Sequence, residues 1–186
     1  MLALAQTSHA TTATQPLVVS GVRFEPQVEL QGQRLLLNGA GLRYKAVFKV
    51  YVAGLYLGQK ASTPAEVRDQ AGPKRLRVSM LRDIDSAELG KLFSRGMEDN
   101  MDKAAFAPLI PGVLRMSQIF SDHKRLRAGD EFTVDLLPGA GVQVCVKGIA
   151  QGEPIREPAF FDALLGIWLG PQPADWKLKE ALLGRE

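Results

Sequence analysis

Arg43 opens a run of β-branched and aromatic residues, from Tyr44 through Val47, Phe48, Val50, Tyr51 and Val52 to Tyr56. Such a run reads as sheet interior. A guanidinium keeps its charge, so at the mouth of an apolar strand it must find water, a carboxylate or a ligand anion. On residue type alone, snorkelling or pairing with a structural carboxylate is the commoner role. Asn100 is the second polar group of interest. It falls seven positions after Phe93, on the stripe of Leu89, Leu92, Phe93 and Met97. A buried amide is costly unless hydrogen-bonded, so either nearby backbone or a ligand must satisfy it. Met97, Met101 and Met116 read as core, although methionine also suits a pocket that moulds around a flexible apolar guest.

Other chemistries have little to work with. The single cysteine, Cys145, lies in an apolar strand-like run and reads as a core thiol. His9 and His123 are the only histidines, and no His/Cys/Asp cluster has metal-ligand spacing. The sequence contains no phosphate-cradling loop, no Gly-x-Gly-x-x-Gly and no Gly-x-Ser-x-Gly elbow. No cofactor or metal is therefore expected. The pairs Glu98-Asp99 and Asp83…Asp85 read as helix surface and cap. What remains is a cation, some phenols, an amide and much apolar surface. That set suits a carboxylate on an apolar tail better than it suits proton transfer.

The 186 residues suit one domain with a sizeable core. A net charge of +3 and two short basic clusters, Lys74-Arg75-Arg77 and His123-Lys124-Arg125-Arg127, lack interleaved aromatics and argue against nucleic acid. No apolar run is long enough to span a bilayer. Leu2-Ala3-Leu4-Ala5 followed by Gln6 to Ala10 looks like the tail of a signal peptide. Export to a periplasm is the expectation, with a cytoplasmic location as the alternative. Residues 1–16 are expected to be unstructured and 17–186 to form the domain.

The elements follow from local signals. Val18 to Phe24 reads as a first strand. Gln27 to Leu30 and Arg34 to Leu37 flank Gln31-Gly32-Gln33 as a hairpin. Thr63-Pro64 opens a short helix, and Lys74 to Leu81 is a strand. Asp85-Ser86-Ala87-Glu88 starts the clearest helix. Pro111 begins another, carrying Val113, Leu114, Ser117 and Phe120. Asp130 to Leu137 and Val142 to Lys147 form a hairpin, followed by a short strand near Ile149. Ala159 to Leu169 is an apolar helix, and Asp175 caps the last one. About seven strands with helices inserted after the middle ones predict an α+β fold, with helices on one face of a mostly antiparallel sheet.

Taken together, several segments resemble the chalcone isomerase-like family. They are Gly39-Ala40-Gly41-Leu42-Arg43, Lys49 to Leu57, Leu81-Arg82-Asp83, Gly96 with Asn100, Gly129-Asp130, Phe161 to Gly170, and Leu178-Lys179. The likeness spans Gly21 to Gly184 and points to the bacterial, non-flavonoid branch. It implies an open-faced β-sandwich: a large sheet backed by helices, with a ligand cleft between them. Some members close a flavanone ring, and others bind fatty acids without catalysis. By position, the family arginine falls on Arg43 and the site asparagine on Asn100. The helix tyrosine falls on Phe93, the sheet threonine near Tyr51 and a later hydroxyl near Ile167. Two hydrogen-bonding groups of the isomerase site are thus replaced by apolar ones, which weakens ketone polarisation and phenolate placement.

The resemblance also places Arg43 and Tyr51 across a hairpin. Pattern alone allows a single extended strand, which would hold them roughly 26 Å apart. The resulting expectation is non-catalytic binding of a small amphipathic carboxylate. Arg43, Tyr51 and Asn100 would hold the acid, and Phe93, Met97 and Ile167 would line the wall. The alternative is an intramolecular lyase acting on an enone through Arg43, Tyr51 and Asn100.

Overall fold

The computed structural model describes residues 15–185. The signal-like start therefore lies outside the described residues. The expected strand from Val18 to Phe24 is not one strand. It folds back as β1 (Leu17–Val19) and β2 (Val22–Phe24), turning at Ser20-Gly21 with both residues at positive φ. β3 (Gln27–Leu30) and β4 (Gln33–Lys45) form the expected hairpin about Gln31-Gly32, again both left-handed.

β4 pairs with β5 (Phe48–Leu57) in antiparallel register. Then follow α1 (Pro64–Asp69), β6 (Lys74–Met80), β7 (Ile84–Asp85) and α2 (Ser86–Glu98). α3 (Lys103–Phe106), a 3-10 turn (Ala107–Leu109) and α4 (Ile110–Ser121) come next. The chain continues with β8 (Arg125–Leu126), β9 (Glu131–Leu137), β10 (Gly141–Val146) and β11 (Ile149–Ala150), then ends in α5 (Phe160–Leu169) and α6 (Trp176–Leu182). Seven strands form one antiparallel sheet in the order β11-β10-β9-β6-β5-β4-β3. The expected α+β class is the observed one.

Alternation along β5 assigns its two faces. Tyr51, Ala53, Leu55 and Leu57 point into the large core shared with α2, α4, α5 and α6. Val52 and Tyr56 point the other way, into a smaller cluster with Phe24 and Leu35. β4 carries one extra residue: Leu37 pairs with Tyr56 and Gly39 with Leu55, so Asn38 is a bulge. Its buried side chain is fully used, donating to the carbonyls of Ala61 and Leu182 and accepting from Ala61 N. After the bulge, Gly39, Gly41 and Arg43 face the helices.

α6 lies directly on that stretch of β4. A Cβ on Gly41 would sit 2.5 Å from Ala181 Cβ, and one on Gly39 would collide with the Ala181 carbonyl. Only glycine permits this approach. Arg43 emerges just past the N-terminus of α6.

Local capping follows the sequence. Thr63 and Glu66 form a reciprocal capping box, and Asp85 accepts from Glu88 N. In α4 the buried side is Val113, Met116, Ile119 and Phe120. Leu114 is exposed, on the opposite side of the helix.

Candidate functional site

The pairing of Arg43 with Tyr51 settles their proximity: they lie opposite each other across the β4–β5 hairpin. The turn is Ala46-Val47, with Ala46 at φ 54°. A second bulge, at Val50, follows from pairing Arg43 with Tyr51 and Tyr44 with Lys49. The single extended strand is thus excluded, and both side chains point toward the helices.

Three groups meet at this end of the sheet. Tyr51 is buried, and its oxygen accepts a 2.8 Å hydrogen bond from Trp168 Nε1 on α5. Burial pushes the phenol up to about 12, despite the opposing pull of the Trp168 bond and the nearby Arg43 charge. The Arg43 side chain is 22% exposed. Its nearest carboxylate is Asp175, at 3.9 Å, which is an ion pair too long for a hydrogen bond. Asp175 is already engaged as the N-cap of α6. One oxygen accepts from Lys177 N and Leu178 N, and the other accepts from Tyr44 N. The guanidinium also lies within reach of the Tyr51 oxygen. Among the described residues no carboxylate takes a hydrogen bond from it, so donors remain for a guest anion.

The space beside these groups is a cavity of about 540 Å³ between sheet, α2 and the Gly170–Ala174 loop. Sites for small molecules span roughly 300–1,000 Å³. Arg43 and Tyr51 lie in its wall with Leu89, Phe93 and Ile167. Phe93 also anchors an aromatic cluster, meeting Phe120, Phe132 and Trp168 edge-on at 5.3–5.8 Å. Gly96 lets α5 close on α2, since a Cβ there would lie 3.1 Å from Ile167.

Two expected residues are not in the wall. Met97 turns inward and is 1% exposed, because the docked face of α2 points it into the main core. Asn100 does not continue the helical stripe, since α2 ends at Glu98. Its amide donates to the carbonyls of Gly96 and Gln172 and accepts from Gln172 N, at 2.8–2.9 Å. Backbone, not a ligand, satisfies it. Its role is to pin the loop that forms one side of the cavity. Asn100→Ala should cost about 2 kcal/mol of stability, measured by urea unfolding, and should lower ligand affinity only through a loosened loop.

Trp168 and Asp175 were missed as site residues. A buried indole N–H needs an acceptor, so Trp168 on the apolar C-terminal half of its helix is itself a signal for a buried oxygen partner. Asp175 reads from sequence as a cap, and nothing in the spacing places it beside Arg43. Among the described residues, no group of three or more His, Cys, Asp or Glu could hold a metal ion.

The Tyr51 environment sets a pH dependence. Below pH 10 the phenol is protonated in folded and unfolded chains alike, and the fold has its full stability. Between pH 10 and about 12 the unfolded chain loses the proton while the folded one keeps it. Stability should therefore fall by roughly 2–3 kcal/mol across that window. Urea melts at stepped alkaline pH will measure it, and Tyr51→Phe should flatten the slope.

A cavity between an antiparallel sheet and the helices on one of its faces, with Arg43 and Tyr51 in the wall, defines the class of this α+β protein. The chain belongs to the chalcone isomerase-like family, whose sequence profile matches residues 16–184. Among solved structures it is similar to an Arabidopsis thaliana fatty-acid-binding protein, at TM-score 0.70 and 17% identity. That alignment covers 91% of this chain and 96% of the plant protein, and at such identity it establishes the fold alone. No curated protein sequence matches the chain significantly.

Proposed function

We propose that the protein binds a small amphipathic carboxylate, fatty-acid-like or aromatic, in the Arg43 cavity and releases it unchanged. The observation that carries this reading is a guanidinium that no carboxylate hydrogen-bonds among the described residues, in the wall of a largely apolar cavity of about 540 Å³. Arginine meets a carboxylate with two parallel N–H···O bonds. Tyr51 adds a donor: Trp168 occupies a lone pair of the phenol oxygen, leaving its proton for a ligand oxygen. Phe93, Ile167 and Leu89 offer the tail an apolar wall. The Arabidopsis protein of the same fold carries the description fatty-acid binding.

The same features disfavour the lyase alternative. A phenol held protonated to about 12 is a poor base near neutrality. Asn100 is committed to backbone, and Phe93 and Ile167 bring no hydroxyl to the wall.

Solvent extraction of purified native protein, followed by mass spectrometry, should yield a near-stoichiometric organic acid. Titration of emptied protein with cis-parinaric acid should saturate at one site. Absence of both would defeat the binding reading. Loss of chalcone absorbance at a catalytic rate would establish the lyase instead.

A further inference from the structure

We propose that the tip of the β4–β5 hairpin docks onto an anionic membrane surface. The tip, Tyr44 to Lys49, is exposed throughout. Val47, in the turn, is 82% exposed and Phe48, the first residue of β5, 57%, and no other described element covers them. Other exposed apolar groups border the same end of the molecule: Leu92 and Trp176 at the cavity rim, and Tyr44 beside Asp175. Single exposed apolar residues are ordinary, but a cluster around one opening marks an interaction surface.

Charge selects the partner. Tyr44 to Lys49 contains Lys45 and Lys49 and no acid. Arg82 adds a third cation, its guanidinium 4.9 Å from the centre of the Phe48 ring. Three acids lie nearby: Glu88 is 3.9 Å from Lys45, Asp83 is 3.7 Å from Arg125, and Asp85 is turned to the α2 N-terminus as its cap. That leaves Lys49 and Arg82 as the cations at the tip without an acidic partner among the described residues. Apolar tips flanked by lysine and arginine suit the boundary where acyl chains meet anionic headgroups. Lysine stems reach back to the headgroups while the tip sinks.

Position ties docking to the cavity. A groove lined by Ala46, Phe48 and Arg82 shares Lys45, Val50, Ile84 and Glu88 with the main cavity. A seated hairpin would therefore bring the cavity mouth to the lipid. The docking surface does not depend on Arg43, so Arg43→Ala should bind membranes like the parent chain even if the carboxylate reading fails.

The test is co-flotation of the full chain with vesicles of phosphatidylglycerol and phosphatidylcholine, against phosphatidylcholine alone. Binding to the anionic vesicles, weakened by salt, is expected. The double variant Val47→Asp, Phe48→Asp should weaken it by roughly tenfold or more. It keeps the same N-terminal segment, so the difference reports the hairpin. Of the two tryptophans, Trp168 is buried and Trp176 is 60% exposed. A blue shift of emission on the anionic vesicles should vanish in Trp176→Phe. No binding to the anionic vesicles at low salt would overturn the proposal, as would undiminished binding by the double variant. A dimer that the double variant dissolves, without vesicle binding, would assign the patch to a second copy instead.

Discussion

Arg43→Ala should weaken fatty-acid binding by roughly ten- to a hundredfold, the equivalent of losing a charge-assisted hydrogen-bond pair. The reasoning is differential. A ligand carboxylate inside an apolar cavity loses its water and must be matched by a cation; without Arg43 the expense of desolvation stands alone. Lys45 and Arg95 also border the cavity, but both are exposed, so solvent screens them. Arg43→Lys should fall between, because it keeps the charge and loses the planar fork. The fold should tolerate the alanine within about 1 kcal/mol, since the pair with Asp175 is long and partly solvated. Isothermal titration with a defined fatty acid, alongside urea melts, reads both quantities. Equal affinities for parent and variant would remove the guanidinium from the site.

Gly39→Ala should lower stability by about 3 kcal/mol or more, which for a chain of this size is a fall of roughly 6–12 °C in Tm. The added methyl would overlap the Ala181 carbonyl, with its carbon at 3.0 Å and the Leu182 oxygen at 3.1 Å. These are backbone atoms of α6, which cannot swing aside as a side chain would. The helix must lift from β4, taking Asp175 and Trp176 with it, so affinity should fall too. Gly58→Ala is the matched control. No atom lies within 4 Å of the added Cβ, and its effect should stay within about 0.5 kcal/mol. Calorimetric scans of the two variants decide the matter.

Much of the fold was readable because local and global preferences agree. Alternation marked the central strands, and Gln31-Gly32 marked a hairpin with its left-handed pair. Thr63, Asp85 and Asp175 announced three helices as caps. The β4–β5 turn was silent for a physical reason. Ala46 adopts φ 54°, a conformation costing alanine roughly 1–2 kcal/mol. Extensive pairing on both sides absorbs that cost, so no glycine or asparagine signals the turn. Only the family likeness placed Arg43 opposite Tyr51.

Within the site, residue chemistry singled out Arg43, and position in the family added Tyr51, Phe93 and Ile167. Asn100 was misassigned because a helical stripe was extended two residues past the end of α2. Met97 shares that helix with Phe93 but lies farther from the opening, and periodicity does not distinguish wall from core. The bond from Trp168 to Tyr51 spans 117 positions, and Asp175 lies 132 positions after Arg43. Such partners are set by how α5 and α6 dock, which no local pattern encodes.

The extra residue at Asn38 has an evolutionary corollary. Side chains alternate across a strand, so the whole stretch from Gly39 to Arg43 owes its side of the sheet to an odd count. Losing one residue between Leu37 and Arg43 would reverse that parity and aim the guanidinium at Phe24 and Val52, away from the cavity. Relatives that keep a working pocket should therefore vary here by exchange of side chains and never by a single-codon gap.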